Sequence, residues 1–304
     1  MEVEEMIISP EEEGERLDKI LSNRFNQIKS RTYFQYLIEE KRIRLNGLPV
    51  KKRMKPSAGD LVEIEFVLTP ELNIQPEPIP LDILFEDDHI LAANKPAGMV
   101  VHPAVGNWSG TFANALLFHC QNHFAQGDLR PGIVHRLDKE TTGVILAAKS
   151  PLAHQKLIEL FSLRKIYKEY LAICVGNPGH AEINAAIGRH PIHRMQMAVC
   201  DQGGKEAITF CKTLHFDGKL SFASLVLATG RTHQIRVHMK HHGTPILGDP
   251  VYGSPSSNKK YGALRQMLHA RILRFEHPIN GNLLELEAPL PQDIKSRLPS
   301  NLIL

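Results

Sequence analysis

The chain has 304 residues, 42% of them hydrophobic, which is enough for one large domain and a smaller one. No apolar run approaches the roughly 18 residues of a membrane span, and the start, Met1-Glu2-Val3-Glu4-Glu5, lacks the basic region of a secretory signal. The four cysteines (Cys120, Cys174, Cys200 and Cys211) form no C-x-x-C pair, which predicts reduced, mostly buried thiols and a cytoplasmic protein.

The net charge of +3 is modest but uneven. Residues 1–13 hold six acids and no base, a pattern that predicts a mobile acidic tail. Residues 14–56 reverse it, with twelve Lys/Arg against four acids and a net of +8, leaving +1 for residues 57–304. Such clustering is the footprint expected of a phosphate-binding surface. Within it, Leu17, Ile20, Leu21 and Phe25 make a helical stripe. Ser30 can cap a second helix carrying Phe34, Leu37 and Ile38 inward. Short strands follow at Ile43 to Leu45, before Asn46-Gly47, and at Leu61 to Phe66. Residues 67–80 hold four prolines and no helical period, so they read as an extended linker. The expected division is a small basic domain at 14–66, a linker at 67–80 and a large domain at 81–304.

The large domain opens with a hairpin, Ile83-Leu84-Phe85 and Ile90 to Ala93, running into the turn Asn94-Lys95-Pro96-Ala97-Gly98. A short helix is expected from Thr111 to Phe118. Then comes the densest polar cluster of the chain. Ile133-Val134 lead into His135-Arg136-Leu137-Asp138-Lys139-Glu140-Thr141-Thr142, and Gly143 reopens an apolar run to Ala148, a strand–loop–strand pattern. A loop hung between core strands is held rigidly, and Asp138, following Leu137 with apolar strand close on both sides of the loop, is expected to be only partly solvated. Ser150-Pro151 starts a helix. Lys165 to Val175 reads as a strand entering the core, and 206–215 with 220–228 as an antiparallel pair.

The next segment is Thr229-Gly230-Arg231-Thr232-His233-Gln234-Ile235-Arg236-Val237-His238. Arg236, flanked by Ile235 and Val237, needs a buried anion, for which Asp138 is the candidate. His238, His241 and His242 lie near a helix end closed by Gly243, where imidazoles are favoured by the dipole. No Cys or acid completes a tetrahedral set there, so no metal is assigned.

Two stretches carry a resemblance. His135-Arg136-Leu137-Asp138-Lys139-Glu140-Thr141-Thr142-Gly143-Val144 resembles the signature loop of the RluA family of RNA pseudouridine synthases. Gly230 to His238, Asn94 to Gly98, Val101-His102-Pro103 and Gly248-Asp249-Pro250-Val251-Tyr252-Gly253 resemble further motifs of that family. Residues 14–66 resemble the αL RNA-binding module named after small-subunit ribosomal protein S-four. The resemblance implies an α+β fold, a largely antiparallel mixed sheet with flanking helices and a central cleft, beside a small RNA-binding domain.

It also implies that Asp138 is the catalytic carboxylate and that Arg136 helps to flip the target uridine out. Tyr170, matched through Tyr-x-Ala, would sit against the base, and Arg236 would fix the carboxylate's rotamer. The implied reaction moves uracil from a nitrogen to a carbon linkage and needs no cofactor. The implied partner is structured RNA, large-subunit ribosomal RNA ahead of transfer RNA, met by a monomer without membrane or metal. A two-carboxylate glycosidase would need Glu140 or Asp249 as its second acid. A non-catalytic ribosome-assembly factor would have no use for the intact loop.

Overall fold

The computed structural model describes residues 2–25, 31–51, 53–66, 74–103, 107, 109–120, 132–193, 196–299 and 302. The chain divides into two compact units, Met1–Asn73 and Ile74–Leu304.

In the first unit the strands are β1 (Glu2–Ile7), β2 (Ile43–Leu45), β3 (Leu48–Pro49) and β4 (Leu61–Phe66), and the helices are α1 (Leu17–Arg24) and α2 (Arg31–Glu39). The sheet order is β1-β4-β2-β3, all antiparallel. The expected stripe is the core: Leu17, Ile20 and Leu21 pack with Phe34, Leu37, Ile43, Val62 and Ile64. The Ser30 cap lies outside the described residues.

The mobile acidic tail is a correction. Residues 2–7 are an edge strand paired along the whole of β4, with Met6 and Ile8 buried. An edge strand leaves alternate side chains in water, so its acids cost little there while the apolar residues anchor it. Glu12 binds Arg24, and that contact, ahead of burial, holds its carboxyl down at about 2.

The second unit is built on a nine-stranded mixed sheet. Its elements are β5 (Ile83–Glu86), β6 (Ile90–Lys95), α3 (Phe112–His119), β7 (Thr142–Ala148), α4 (Pro151–Ser162), β8 (Tyr167–Val175), β9 (His180–Asn184), β10 (Ile187–Arg189), β11 (Met197–Val199), β12 (Ile208–Phe216), β13 (Leu220–Leu227), α5 (Gln234–His241), α6 (Pro255–Lys260), β14 (Leu268–Glu276), β15 (Leu283–Glu287) and α7 (Gln292–Lys295). The strand order is β5-β6-β7-β14-β8-β13-β12-β9, with β15 on β14 and a separate β10–β11 ribbon. Pairing is antiparallel except between β7 and β14, where His269 and Ala270 meet Thr142 and Gly143.

Alternation explains the layers. On β7, Val144, Leu146 and Ala148 face α4 through Ala153 and Leu157, while Ile145 and Ala147 face α3 through Phe112 and Leu116. A strand covered on both faces is apolar throughout, and all seven residues of β7 are buried. Ser150 caps α4 where expected, and Thr111, expected as the first residue of a helix, is instead the cap of α3; each accepts a backbone N–H of the first turn.

Two expectations need correction here. Residues 74–80 belong to the second unit: Asn114 donates to the Gln75 carbonyl at 2.8 Å and its own carbonyl receives Glu77 N–H at 3.1 Å. The rest of the expected linker, 67–73, lies outside the described residues. Ile133-Val134 is not a strand; only Ile133 bridges to Ala147 before the chain turns into the polar loop. Two apolar residues suffice to anchor the backbone but not to extend a ladder. Among the described residues no helix is long and apolar enough to cross a membrane.

Candidate active site

The loop 135–141 is fixed from beneath. Leu137 is buried, and Asp138 accepts Thr141 N–H at 3.0 Å through its carbonyl. The Lys139 carbonyl takes Gly98 N–H at 3.0 Å and Lys95 Nζ at 3.1 Å, and Arg265 Nη1 donates to the Glu140 carbonyl at 3.0 Å. Lys95 is buried and donates also to the carbonyls of Pro96 and Met99, so all three of its protons are used. Burial pulls its ammonium down to about 7, but three carbonyl acceptors stabilise the charged form against that. The Asn94–Gly98 turn is thus a support for the loop. Gly143 ends the loop at φ +112; a Cβ there would lie 2.1 Å from the Ala270 carbonyl oxygen, so the β7–β14 approach requires glycine.

Asp138 is half-buried, and its Oδ2 receives Arg236 Nη1 at 2.9 Å. The expected pairing is present, but it is the smaller part of what holds Arg236. The guanidinium's other face grips Asp249 through Nε at 2.6 Å and Nη2 at 3.0 Å, a bidentate fork. Asp249 is fully buried, and its Oδ1 also accepts the N–H of Val251 at 2.8 Å and Tyr252 at 2.9 Å. Burial pushes the Asp249 carboxyl up, yet the Arg236 fork and the two N–H groups outweigh it and leave it below the ordinary range. Burial likewise opposes the Arg236 charge, and Asp249 first, then Asp138, more than offset it, so it is raised. Asp249 anchors Arg236, and Arg236 presents one donor to Asp138.

His233 stands on the other side of the carboxylate, Nε2 lying 3.8 Å from Asp138 Oδ1. It caps α5 in the left-handed region at φ 56. Tyr252 Oη accepts Met197 N–H at 2.8 Å, so its own proton goes to His233 Nδ1, 2.9 Å away. That assigns the remaining imidazole proton to Nε2, toward Asp138. Burial, against the pull of Asp138, lowers His233 and keeps it neutral.

Tyr170, in register with Ala270 of β14 and Leu225 of β13, lines the same cleft. Burial first, then the Asp138 charge, raises its phenol, so the hydroxyl stays protonated and serves as a donor. Arg136 is exposed at the rim. The cleft beside these residues measures about 350 Å³. A larger hollow of about 470 Å³ beside β6, lined by Asn94, Lys95 and Arg265, reaches neither Asp138 nor Tyr170.

The four expected site residues therefore line one cleft, with Asp138, Tyr170 and Arg236 around its floor. Sequence reasoning missed Asp249 as the principal partner of Arg236, and it missed His233 and Tyr252. The signal for the first was Gly248-Asp249-Pro250, whose Gly248 sits at φ +79 against the Arg265 carbonyl.

The His238 ring is occupied by Thr209 Oγ1 and the Ala185 carbonyl, both at 2.9 Å. Among the described residues one group, Glu86, His119 and Cys120, has metal-ligand spacing. Lys149 Nζ already sits 2.7 Å from Glu86, and burial pushes the Cys120 thiol up to about 11, so neither group invites a cation.

Among the described residues one carboxylate, Asp138, opens to this cleft, clamped by the buried Arg236 guanidinium and flanked by the protonated Tyr170 phenol and the exposed Arg136. Among the described residues neither candidate second acid of a glycosidase reaches the cleft: Asp249 is buried behind Arg236, and Glu140 lines neither side. The family model for RNA pseudouridylate synthase matches residues 89–241, and the chain belongs to that family of RNA-modifying isomerases. An uncharacterised RNA pseudouridine synthase of Bacillus subtilis, YlyB, is 40% identical over 94% of each chain. Ribosomal large subunit pseudouridine synthase D of Neisseria meningitidis is 41% identical over 92% of this chain and 77% of its own. The solved structure of human RNA Pseudouridylate Synthase Domain Containing 1 superposes with a TM-score of 0.57 at 27% identity, covering 70% of this chain and 84% of that one.

Proposed function

We propose that the protein isomerises uridines of large-subunit ribosomal RNA to pseudouridine, with Asp138 as the catalytic carboxylate. The carrying observation is that Oδ2 of Asp138 is committed to Arg236 while the carboxylate, 18% exposed, lines the same cleft as Tyr170. The reaction breaks the bond between N1 and the ribose anomeric carbon, turns the base, and joins C5 to that carbon. One proton leaves C5 and one arrives at N1, so no donor or cofactor is consumed. Asp138 starts the reaction by attack on the anomeric carbon or by removal of a sugar proton; Arg236 holds its rotamer for both. Tyr170 packs against the base and offers its hydroxyl as a proton donor. Arg136 reaches from the rim into the space the flipped uridine vacates.

The large-subunit substrate rests on the name of the Neisseria relative, and a ribosomal substrate is what supports a cytoplasmic reading. All site groups come from one chain, which suits a monomer. The first unit is read as the RNA-binding module. In support, Arg44, Lys51, Arg53 and Lys55 are exposed and form no ion pair among the described residues. The test is to incubate the protein with unmodified large-subunit RNA and map pseudouridine by carbodiimide-blocked primer extension. Stops at discrete uridines, absent with Asp138→Asn, are expected. No stops with the intact protein refute the activity, and stops confined to transfer RNA reassign the substrate.

A further inference from the structure

Lys168 precedes Tyr170 by two residues on β8, so alternation sends both side chains to the same face and into the Asp138 cleft. The residue is 8% exposed, yet no carboxylate among the described residues pairs with it. Its ammonium lies 5.9 Å from the Phe161 ring centre, the outer limit of a cation–π contact. Burial first, then the Arg164 charge, lowers it from the ordinary lysine range.

Three arginines line the same cleft: Arg136, Arg164 and Arg231. Arg164 is paired with Glu206, whose carbonyl also receives Arg231 Nε at 2.9 Å, so the one acid at this rim is already engaged. Asp138 is committed to Arg236. A largely buried lysine whose ammonium opens to a cleft, with no paired carboxylate among the described residues, favours an anion beside it. RNA brings one kind of anion, the phosphodiester, and a nucleotide flipped toward Asp138 carries one on each side.

We propose that Lys168, with Arg164 at the rim, is a phosphate subsite that grips the RNA backbone next to the flipped uridine. This rests on the pseudouridine synthase reading of the cleft and adds to it a fixed point for the sugar–phosphate chain. Lys168 sits on β8, an interior strand of the sheet, so a phosphate held there sets the ribose at a constant height over the carboxylate.

Ethylation interference on the large-subunit transcript tests it. The RNA is sparsely ethylated on its phosphates, and bound and free fractions are compared around the uridine that the intact protein modifies. With the natural sequence, ethylation at a phosphate within two nucleotides of that uridine should weaken binding roughly tenfold. Lys168→Gln should bind roughly tenfold more weakly, show a salt slope smaller by about 0.7, and lose that sensitivity to ethylation. Lys168→Arg keeps the charge and should retain it. If Lys168→Gln fails to fold by circular dichroism, the exposed Arg164→Gln carries the comparison and should show a partial loss. An ethylation penalty that is absent, or unchanged in the folded variant, overturns the phosphate assignment alone. Absence of pseudouridine with the natural sequence overturns the function, and the subsite with it.

Discussion

Arg236→Met removes the one cation between two carboxylates, and the structure says which of the two suffers. Asp249 has no exposed side-chain surface, whereas Asp138 keeps 18%. Water can take over part of the contact at Asp138 but cannot reach Asp249, which is left with only the N–H groups of Val251 and Tyr252. Stripping a partner from a buried pair costs roughly 3–5 kcal/mol, and most of that should arise at Asp249. A second change, Asp249→Asn, removes the stranded charge while its carbonyl oxygen still accepts both N–H groups. The double variant should recover roughly half or more of the loss, whereas Asp138→Ala in the same background should recover little. Urea unfolding followed by circular dichroism gives the three free energies, and the cycle isolates the coupling. Turnover should fall roughly 100-fold in Arg236→Met, since the Asp138 rotamer is no longer fixed. A loss below about 1 kcal/mol, or a larger recovery with Asp138→Ala than with Asp249→Asn, would refute the view of Asp249 as the anchor.

Three further outcomes are expected. Asp138→Asn should abolish isomerisation in a single-turnover assay while RNA affinity, read by filter binding, stays within about threefold; substantial residual turnover contradicts the assignment. Burial holds His135 down at about 3 and His269 at about 4, the first accepting Leu146 N–H through Nε2. Both are lowered below the unfolded value of roughly 6.5, so the unfolded chain binds more protons below that pH and stability falls with acidification. About 2–3 kcal/mol should be lost between pH 7.5 and 5.5, measured by urea midpoints; a flat profile contradicts it. Gly143→Ala should cost about 3 kcal/mol or more and lower the melting temperature, because its Cβ would meet the Ala270 carbonyl and its φ of +112 suits only glycine. Normal stability in that variant would show that β7 and β14 can part there.

The elements most legible in the sequence were those with local signals. The α1 stripe, the Ser150 cap and the Gly243 stop depend on residues within one turn, and α1, α3 and α4 begin within a residue or two of the expected starts, whereas α6 and α7 were not anticipated. Asp138 and Arg236 were legible as a pair because an arginine between Ile235 and Val237 demands an anion. Which anion was not legible: the fork could close on any carboxylate the fold brings near, and Asp249 is 13 residues away along the chain. His233 and Tyr252 were invisible for the same reason, since their coupling runs through a hydroxyl that also binds the backbone of Met197. The edge strand β1 was hidden by its own charge. Its acids mimic a tail, while only Met6 and the following Ile8 report burial.

That misreading bears on where RNA is held. With β1 and β4 inside the fold, the first unit carries twelve Lys/Arg against fourteen Asp/Glu, a net of −2, in place of the +8 of residues 14–56 alone. Arg16 forks onto Asp18, and Arg24 and Arg42 each meet a glutamate, so several of the bases in that count neutralise neighbours within the unit. Residues 74–304 then hold twenty-four bases and nineteen acids, a net of +5. The long-range field that draws a polyanion is set by net charge, and it favours the second unit. What the first unit offers is local, the exposed run Arg44, Lys51, Arg53 and Lys55 about β2 and β3. Steering by the catalytic unit and gripping by a small patch on the other are separable, because salt weakens the field over a Debye length of about 8 Å while close contacts persist. Of the cations about Asp138, Arg236 is buried and keeps its contact against screening, whereas Arg136, exposed at the rim, is open to it.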